Sequence, residues 1–454
     1  MTLARNFKNN PHWLPANPPD TLSDVPGEDG WPVVGTTLAL LSDPPAFTQR
    51  MYETYGPVYR SNSFGGRLVT LLGADANELV LFDREKLFSS EQGWGPMLNL
   101  VFPRGLMLMD FEQHRVHRRT LSTAFKPEPM RLYADALNEG IAERVAQWGG
   151  TDFAFYPAIK QLTLDLAAVS FLGIPWGPEA QRINQAFVDM VAATIAVVRV
   201  PLPGTAMGRG VAGRSFLVQY FRREIPERRA GDAQDIFSQL CRASHEDGTL
   251  LTDDEIIDHM NFLMMAAHDT ITSSVTSMVN LLGQNPDWQD RLRAEMQALG
   301  LNGTALPYER LGELTLTEYA FKESLRLMPP VPSLPRRALR PFSHGGYDFP
   351  AGTFVGIQPS FTHRMEEYWP DPERFDPMRF EPEATRNRHK YAWVPFGGGA
   401  HMCLGLHFAY MQMKILFYHI LMNNQILLGA SSGKWQAWPI PKPRDGLPVR
   451  LQPL

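Results

Sequence analysis

Cys403 lies in the run Phe396-Gly397-Gly398-Gly399-Ala400-His401-Met402-Cys403-Leu404-Gly405, ahead of an apolar pattern of helical period that continues through Ile420. A glycine-rich turn feeding a helix has no Cβ atoms to obstruct a flat group, and its backbone N–H groups can point at a sulfur. The segment is therefore suited to hold a thiolate ligand. No Lys-Ser or Lys-Thr pair follows the glycines, which excludes a phosphate loop, and the Cys-x-x-Cys-His pattern of a covalently attached cofactor is absent. Taken alone, the segment could equally house a buried, inert cysteine.

A second candidate is Ala266-Ala267-His268-Asp269-Thr270. Small residues at 266 and 267 let a flat ligand approach the backbone. A polar Asp-Thr pair in an apolar helix is costly to bury without a task. The competing reading is a Thr270 hydroxyl bonded to the carbonyl four residues earlier, with Asp269 paired to a nearby base.

Glu323 and Arg326 are three residues apart in a helical segment, Glu318 to Leu327, which Met328-Pro329-Pro330 must end. Asp371-Pro372-Glu373-Arg374-Phe375-Asp376 adds another arginine in a proline-punctuated stretch. Each alone would read as solvated charge. His114 and Arg118, four apart in Glu112-Gln113-His114-Arg115-Val116-His117-Arg118-Arg119, present two basic groups side by side. Without interleaved aromatics, a bound carboxylate or phosphate suits them better than nucleic acid.

The elements that must position these residues are mostly helical. The best defined starts at Thr252, with Glu255 closing a capping box, and ends near Gly283 with Pro286 beyond. About 30 residues at 1.5 Å each give about 45 Å, enough to cross the molecule. The pattern is helical from about residue 130 to 325, while Arg67 to Leu72 and Tyr347 to Ile357 read as strands. The fold class is mostly α with a minor β portion. No repeat or flexible linker marks a boundary, so residues 1–454 are expected to form a single domain with no fused reductase.

Composition bounds the function. The 454 residues are 44% hydrophobic and 20% charged, a globular balance, and the net charge of −5 gives no basic balance for nucleic acid or anionic membrane. Two cysteines, Cys241 and Cys403, cannot build a disulfide framework or a multi-cysteine metal site. No run approaches the ~18 apolar residues of a membrane helix, the longest candidate being Met190 to Val198, and no apolar stretch follows the N-terminal basic residues. A cytoplasmic protein without a cleaved signal or membrane anchor is expected.

Together these segments resemble the haem-thiolate monooxygenases, the cytochromes P450, in a soluble bacterial-type chain. Four motifs occur in the family's order: His114-x-x-x-Arg118, the Ala-Ala-His-Asp-Thr centre, Glu323-x-x-Arg326 with Pro372-Glu373-Arg374-Phe375, and Phe396-Gly-Gly-Gly-x-His-x-Cys403-x-Gly405. The resemblance implies haem b (iron protoporphyrin IX) between the long central helix and the cysteine loop, with Cys403 as the metal ligand. Phe396 would pack beside the sulfur, and Gly397, Gly399 and Gly405 would give the turn room. His114, Arg118, Arg336 and His401 would meet the propionates. Glu323, Arg326 and Arg374 would form a buried structural triad. Asp269 and Thr270 would be the catalytic proton-delivery pair, and Ala266 would leave space beside the haem. His268, His117, His363 and His407 are read as having no catalytic role.

The apolar segment Trp94 to Met109 falls where the family places substrate contacts, although ordinary core is an equal reading. Met97, Leu98, Phe102, Ala266, Val331 and Leu334 are the expected pocket residues. Val200-Pro-Leu-Pro-Gly-Thr205, with Arg209 and Arg214, resembles the lid loop of members that hydroxylate retinoids, steroids and other terpenoids. The reading is a monomeric monooxygenase of a lipophilic, terpenoid- or steroid-like substrate, with fatty acids next. Electrons would come from NAD(P)H through a ferredoxin- or flavodoxin-type donor docking near Arg115 and Arg119. The alternatives are a hydrogen peroxide-dependent peroxygenase and a non-catalytic haem sensor or ligand-binding protein.

Overall fold

The computed structural model describes residues 13–15, 19–175, 177–196 and 199–454. Of the first twenty residues, on which the absence of a signal was read, 1–12 and 16–18 lie outside it, as do Val197 and Val198 at the end of the longest apolar run. Among the described residues no helix is long and apolar enough to cross a membrane.

The helices that position the site are α1 (Ser90–Leu98), α2 (Phe111–Leu121), α3 (Pro127–Trp148), α4 (Phe155–Leu172), α5 (Pro178–Thr194), α6 (Ala206–Ala230), α7 (Asp253–Gln284), α8 (Thr315–Leu327) and α9 (Leu406–Asn423). The capping box of α7 forms as expected. The Thr252 N–H donates to Glu255 Oε2 at 2.8 Å and the Glu255 N–H to Thr252 Oγ1 at 3.3 Å, satisfying two N-terminal donors. At its other end, Pro286 opens the next helix. Most of α7 is buried in the main apolar core, which also draws on α3, α4, α5, α6, α8 and α9.

A second, smaller core surrounds a six-stranded sheet. Its strands are β1 (Gly27–Glu28), β2 (Val58–Ser63), β3 (Gly66–Leu71), β4 (Phe88–Ser89), β5 (Leu334–Ala338) and β6 (Phe354–Ile357), in the order β1-β2-β3-β6-β5-β4. Phe64 and Gly65, both at positive φ, make the two-residue turn between β2 and β3. The strand expected from Tyr347 to Ile357 is two strands. Tyr347–Phe349 pairs with Phe342–His344, and β6 begins only at Phe354. Pro350 and Gly352, the latter at φ 87°, turn the chain between them, and the Gly352 N–H donates to the Ala338 carbonyl at 2.7 Å.

The α8 helix begins at Thr315, earlier than expected, because Glu295 caps it from another helix: its carboxylate accepts the N–H groups of Leu316 at 2.6 Å and Thr317 at 3.0 Å. The short strand Asp152–Ala154 interrupts the long helical region and pairs with Pro448–Pro453.

Candidate functional site

The cysteine turn is closed by its own backbone. The Cys403 N–H donates to the Phe396 carbonyl at 2.9 Å, and the Gly397 N–H to the Val394 carbonyl at 3.0 Å. Gly399 is required on two counts. Its φ is 60°, and a Cβ there would fall 2.2 Å from the Leu81 carbonyl oxygen. At Gly405, by contrast, a Cβ would meet open space. The Phe396 ring lies between Trp393 and Tyr410, at centroid distances of 6.3 and 5.6 Å.

Burial pushes the Cys403 thiol above its ordinary value, opposed by the Gly405 N–H and by Arg118. A thiolate here needs a further positive partner, which a metal ion provides. Among the described residues no group of three or more His, Cys, Asp or Glu side chains could hold a metal ion. Cys241 is wholly buried and its thiol is pushed up to about 12, first by burial, which makes it inert.

The structure brings His114 and Arg118 of α2, Arg336 of β5 and His401 of the cysteine turn into one basic group. The two imidazoles lie 3.9 Å apart between ring centroids. Among the described residues neither arginine forms an ion pair. Arg336 donates to the Pro335 carbonyl at 2.9 Å. Burial first, then Arg118 and Arg336, pushes His114 down to about 4. Burial, Arg336, His114 and Arg118 push His401 down to about 2. Arg336 itself is lowered to about 10 by burial. Mutually repelling basic groups gathered beside a cysteine fit an anionic ligand carrying two carboxylates, and haem fits both halves of the site.

On α7, the partly exposed side chains Met265, Ala266, Ala267 and Thr270 interrupt an otherwise buried surface. The Thr270 hydroxyl donates to the Ala266 carbonyl at 2.8 Å, the local bond weighed from the sequence, which leaves its oxygen free to accept. Asp269 is buried with Oδ1 3.0 Å from Lys160 Nζ and 3.1 Å from His268 Nε2. Burial pushes its carboxyl up, but His268 and Lys160 override this and hold it well below the usual carboxylate range. Sequence reasoning gave His268 no part and missed Lys160, whose place on another helix left no local signal.

The buried charge group departs from expectation in one member. Glu323 and Arg326 are fully buried, with Arg326 donating to both carboxylate oxygens at 2.7 and 2.8 Å. The Arg374 side chain does not join them: it is 67% exposed, 3.9 Å from Asp376, and only its carbonyl accepts from Arg326, at 3.2 Å. Arg379 takes the third place, with Nε 3.4 Å from Glu323. The reason is a turn at Asp376-Pro377, whose Asp376 N–H donates to Glu323 Oε1 at 3.0 Å and brings Arg379 inward.

The segment from Trp94 to Met109 packs on α7, where a Cβ at Gly105 would overlap Phe262. Leu98 and Phe102 are buried in the main core, with Met97 and Ala266 at its partly buried edge. Leu334 packs against the second core, and Val331 is partly buried. The six expected pocket residues therefore do not share one apolar cluster. The loop expected to be a lid is tied to this region by Arg199, which donates to the Met97 carbonyl at 3.0 Å. Arg209 bonds the Gly204 carbonyl at 2.9 Å, and Arg214 pairs with Asp258 on α7 at 3.0 Å.

The family model described as Cytochrome P450 matches residues 25–434. The putative cytochrome P450 136 of Mycobacterium tuberculosis is 37% identical over 449 residues, covering 96% of this chain and 91% of that one. The beta-amyrin 28-monooxygenase of Solanum lycopersicum is 29% identical over 452 residues, covering 94% and 92%. The solved structure of retinoic acid bound cyanobacterial CYP120A1 superposes with a TM-score of 0.86 at 30% identity, covering 95% of this chain and 99% of that one.

Proposed function

Because this chain belongs to the cytochrome P450 family and is a monooxygenase, we propose that it inserts one oxygen atom of dioxygen into a bulky, lipophilic, isoprenoid-like substrate, by hydroxylation or epoxidation. Haem with a cysteine thiolate on its iron supplies the activation of dioxygen. Cys403 is the ligand, and His114, Arg118, Arg336 and His401 receive the propionates. Ala266 and Ala267 leave room on α7 beside the cofactor and substrate. Asp269, which rests as a carboxylate, would take up and pass on the proton, and Thr270, with its hydroxyl hydrogen engaged by Ala266, offers its oxygen as a hydrogen-bond acceptor that orients the delivery.

The substrate class is supported by the retinoic acid named with the solved neighbour and the β-amyrin named for the plant relative. It is also supported by the apolar segment packed over α7 and tied to the lid. Fatty acids come next. The electron donor is a ferredoxin- or flavodoxin-type protein fed from NAD(P)H, and the chain acts as a cytoplasmic, monomeric haem domain.

The observation that carries this reading is the convergence of His114, Arg118, Arg336 and His401 beside Cys403, with neither arginine in an ion pair among the described residues. The test is the absorption spectrum of the reduced protein under carbon monoxide. A strongly red-shifted Soret band, lost in Cys403→Ser, is expected; haem binding without that band, or a variant that keeps it, overturns the assignment.

A further inference from the structure

We propose that Trp13, Leu14 and Pro15 form a strap that holds α1 in place, which makes Trp13 a positioning residue for the wall that bulky ligands meet. This rests on the reading of Met97 and Leu98, both on α1, as pocket residues. The sequence of α1 does not hold the helix by itself. Its nine residues include Gly93, Gly95 and Pro96, the poorest helix formers, and isolated helices shorter than ~12–15 residues are marginal even with good ones. Its order must come from neighbours. The first turn is tied by Asp110, whose carboxylate accepts the Ser89 hydroxyl and the N–H groups of Ser90 at 2.7 Å and Glu91 at 3.3 Å. The last turn is met by Arg199 at the Met97 carbonyl.

Between these ends the two glycines face different neighbours. Two residues apart on a helix, they point about 200° from one another. A Cβ at Gly93 would fall 2.6 Å from the Pro335 carbonyl oxygen of β5, and one at Gly95 would fall 2.4 Å from two carbons of the Trp13 indole. The strap and β5 therefore grip α1 from opposite sides. The Trp13 indole N–H donates to Glu91 Oε1 at 2.9 Å, and the Leu14 N–H to Gln92 Oε1 at 3.0 Å. Arg337 of β5 donates in turn to the Leu14 carbonyl at 3.2 Å and the Pro15 carbonyl at 2.7 Å. The backbone of the same Arg337 pairs in register with Ser89, the N-cap residue of α1. Helix, strap and strand close on one another, and the strand is the one that carries Arg336.

Gly95 separates this account from that of a self-sufficient helix. Alanine at 95 improves the helix's own propensity, yet its Cβ points at the indole and must push Trp13 aside. A helix that stands alone is tightened by Gly95→Ala, whereas a strapped helix is loosened by it. Loosening α1 lowers the fraction of molecules whose wall is already in place, and apparent affinity for a ligand that needs the wall falls with that fraction.

The test uses the haem-loaded protein and its variants Trp13→Ala, Trp13→Phe and Gly95→Ala. Hydrogen–deuterium exchange read by mass spectrometry reports α1 without any ligand. In Trp13→Ala and Gly95→Ala the amides of residues 90–98 should exchange about tenfold faster while those of α7 and α9 are unchanged. Trp13→Phe, which keeps a ring but loses the bond to Glu91, should fall between them and wild type. The pocket is read with two azoles, imidazole and the bulky clotrimazole, each followed by its shift of the Soret band. An ordered fraction lowered to about one fifth should weaken clotrimazole about fivefold and leave imidazole, which has no bulky group, unmoved. Unmoved exchange at 90–98, slower exchange in Gly95→Ala, or a gain in rate spread evenly over all helices overturns the strap. A clotrimazole affinity that holds in Trp13→Ala overturns its link to the pocket. The fault then lies in the reading of Met97 and Leu98 if their alanine variants are equally silent, and in the strap if they are not.

Discussion

The imidazoles of His114 and His401 lie 3.9 Å apart with Arg118 and Arg336 acting on both, so four basic groups share one corner, and among the described residues none of them is in an ion pair. Replacing Arg336 by Met should therefore relieve repulsion in the haem-free protein while removing a propionate partner. A lost charge-assisted bond of about 1.5–3 kcal/mol corresponds to roughly 10- to 100-fold weaker haem retention. Transfer of haem to apomyoglobin measures the loss, and urea unfolding of the haem-free protein should show no matching drop. Equal losses in both would make Arg336 a structural residue only.

Glu323 is fully buried and depends on Arg326. Arg326→Ala should cost about 3–5 kcal/mol, because it strands a buried carboxylate. Arg374→Ala, at an exposed side chain 3.9 Å from Asp376, should stay within about 1 kcal/mol. Arg379→Ala should fall between them. Denaturant unfolding of the three variants ranks them, and a costly Arg374→Ala would reject the exchange of roles seen here.

His259 is wholly buried with Nε2 2.8 Å from His117 Nδ1, close to Glu255 and His245. Burial first, then His117, pushes it down to about 3, against about 6.5 when unfolded. Below pH 6.5 the unfolded chain takes up a proton that the folded chain refuses, so stability is complete above that pH and is lost as pH falls toward 3. His259→Gln should flatten the pH dependence of the unfolding free energy between pH 6 and 4 by about 1.4 kcal/mol per pH unit. Urea unfolding at several pH values tests this, and an unchanged slope would mean that His259 titrates normally.

Arg115 and Arg119, the expected docking residues, are exposed but not free. Glu112 takes Arg115 at 2.6 Å, and Glu246 takes Arg119 at 2.6 Å and Arg115 at 3.3 Å. If an acidic donor docks there, Glu246→Gln should speed its reduction of the haem several-fold at low salt, and Arg119→Glu should slow it, with substrate affinity unchanged in both. Stopped-flow reduction across ionic strength is the measurement. Rates indifferent to both changes would move the docking site elsewhere.

What the sequence revealed was what short spacing controls. The Thr252 capping box and the Glu323–Arg326 pair each span three residues on one helix, and both formed. Lys160 and Glu295 act across the fold, and nothing near them in the chain names their partners, whereas Arg379 stands in Pro377-Met378-Arg379-Phe380, a second Pro-x-Arg-Phe five residues beyond the one taken for that role. His268 escaped for another reason: adjacent helical residues diverge around the axis, so a contact between His268 and Asp269 depends on rotamers and not on spacing. The split between Tyr347–Phe349 and β6 was hidden because alternation of apolar residues resumes beyond the Pro350–Gly352 turn.

The helices α5 and α6, which flank the expected lid loop, meet through glycines: a Cβ at Gly210 would strike Ala193, and one at Gly213 would strike the Ala186 carbonyl. Backbones this close cannot slide past one another without collision, so the two helices form one lever and not two independent flaps. Arg214 latches that lever to Asp258. For an engineer the unit of exchange is then residues 178–230 as a cassette: grafting either helix alone breaks the interlock, whereas moving the pair carries a ready-made roof onto the same floor.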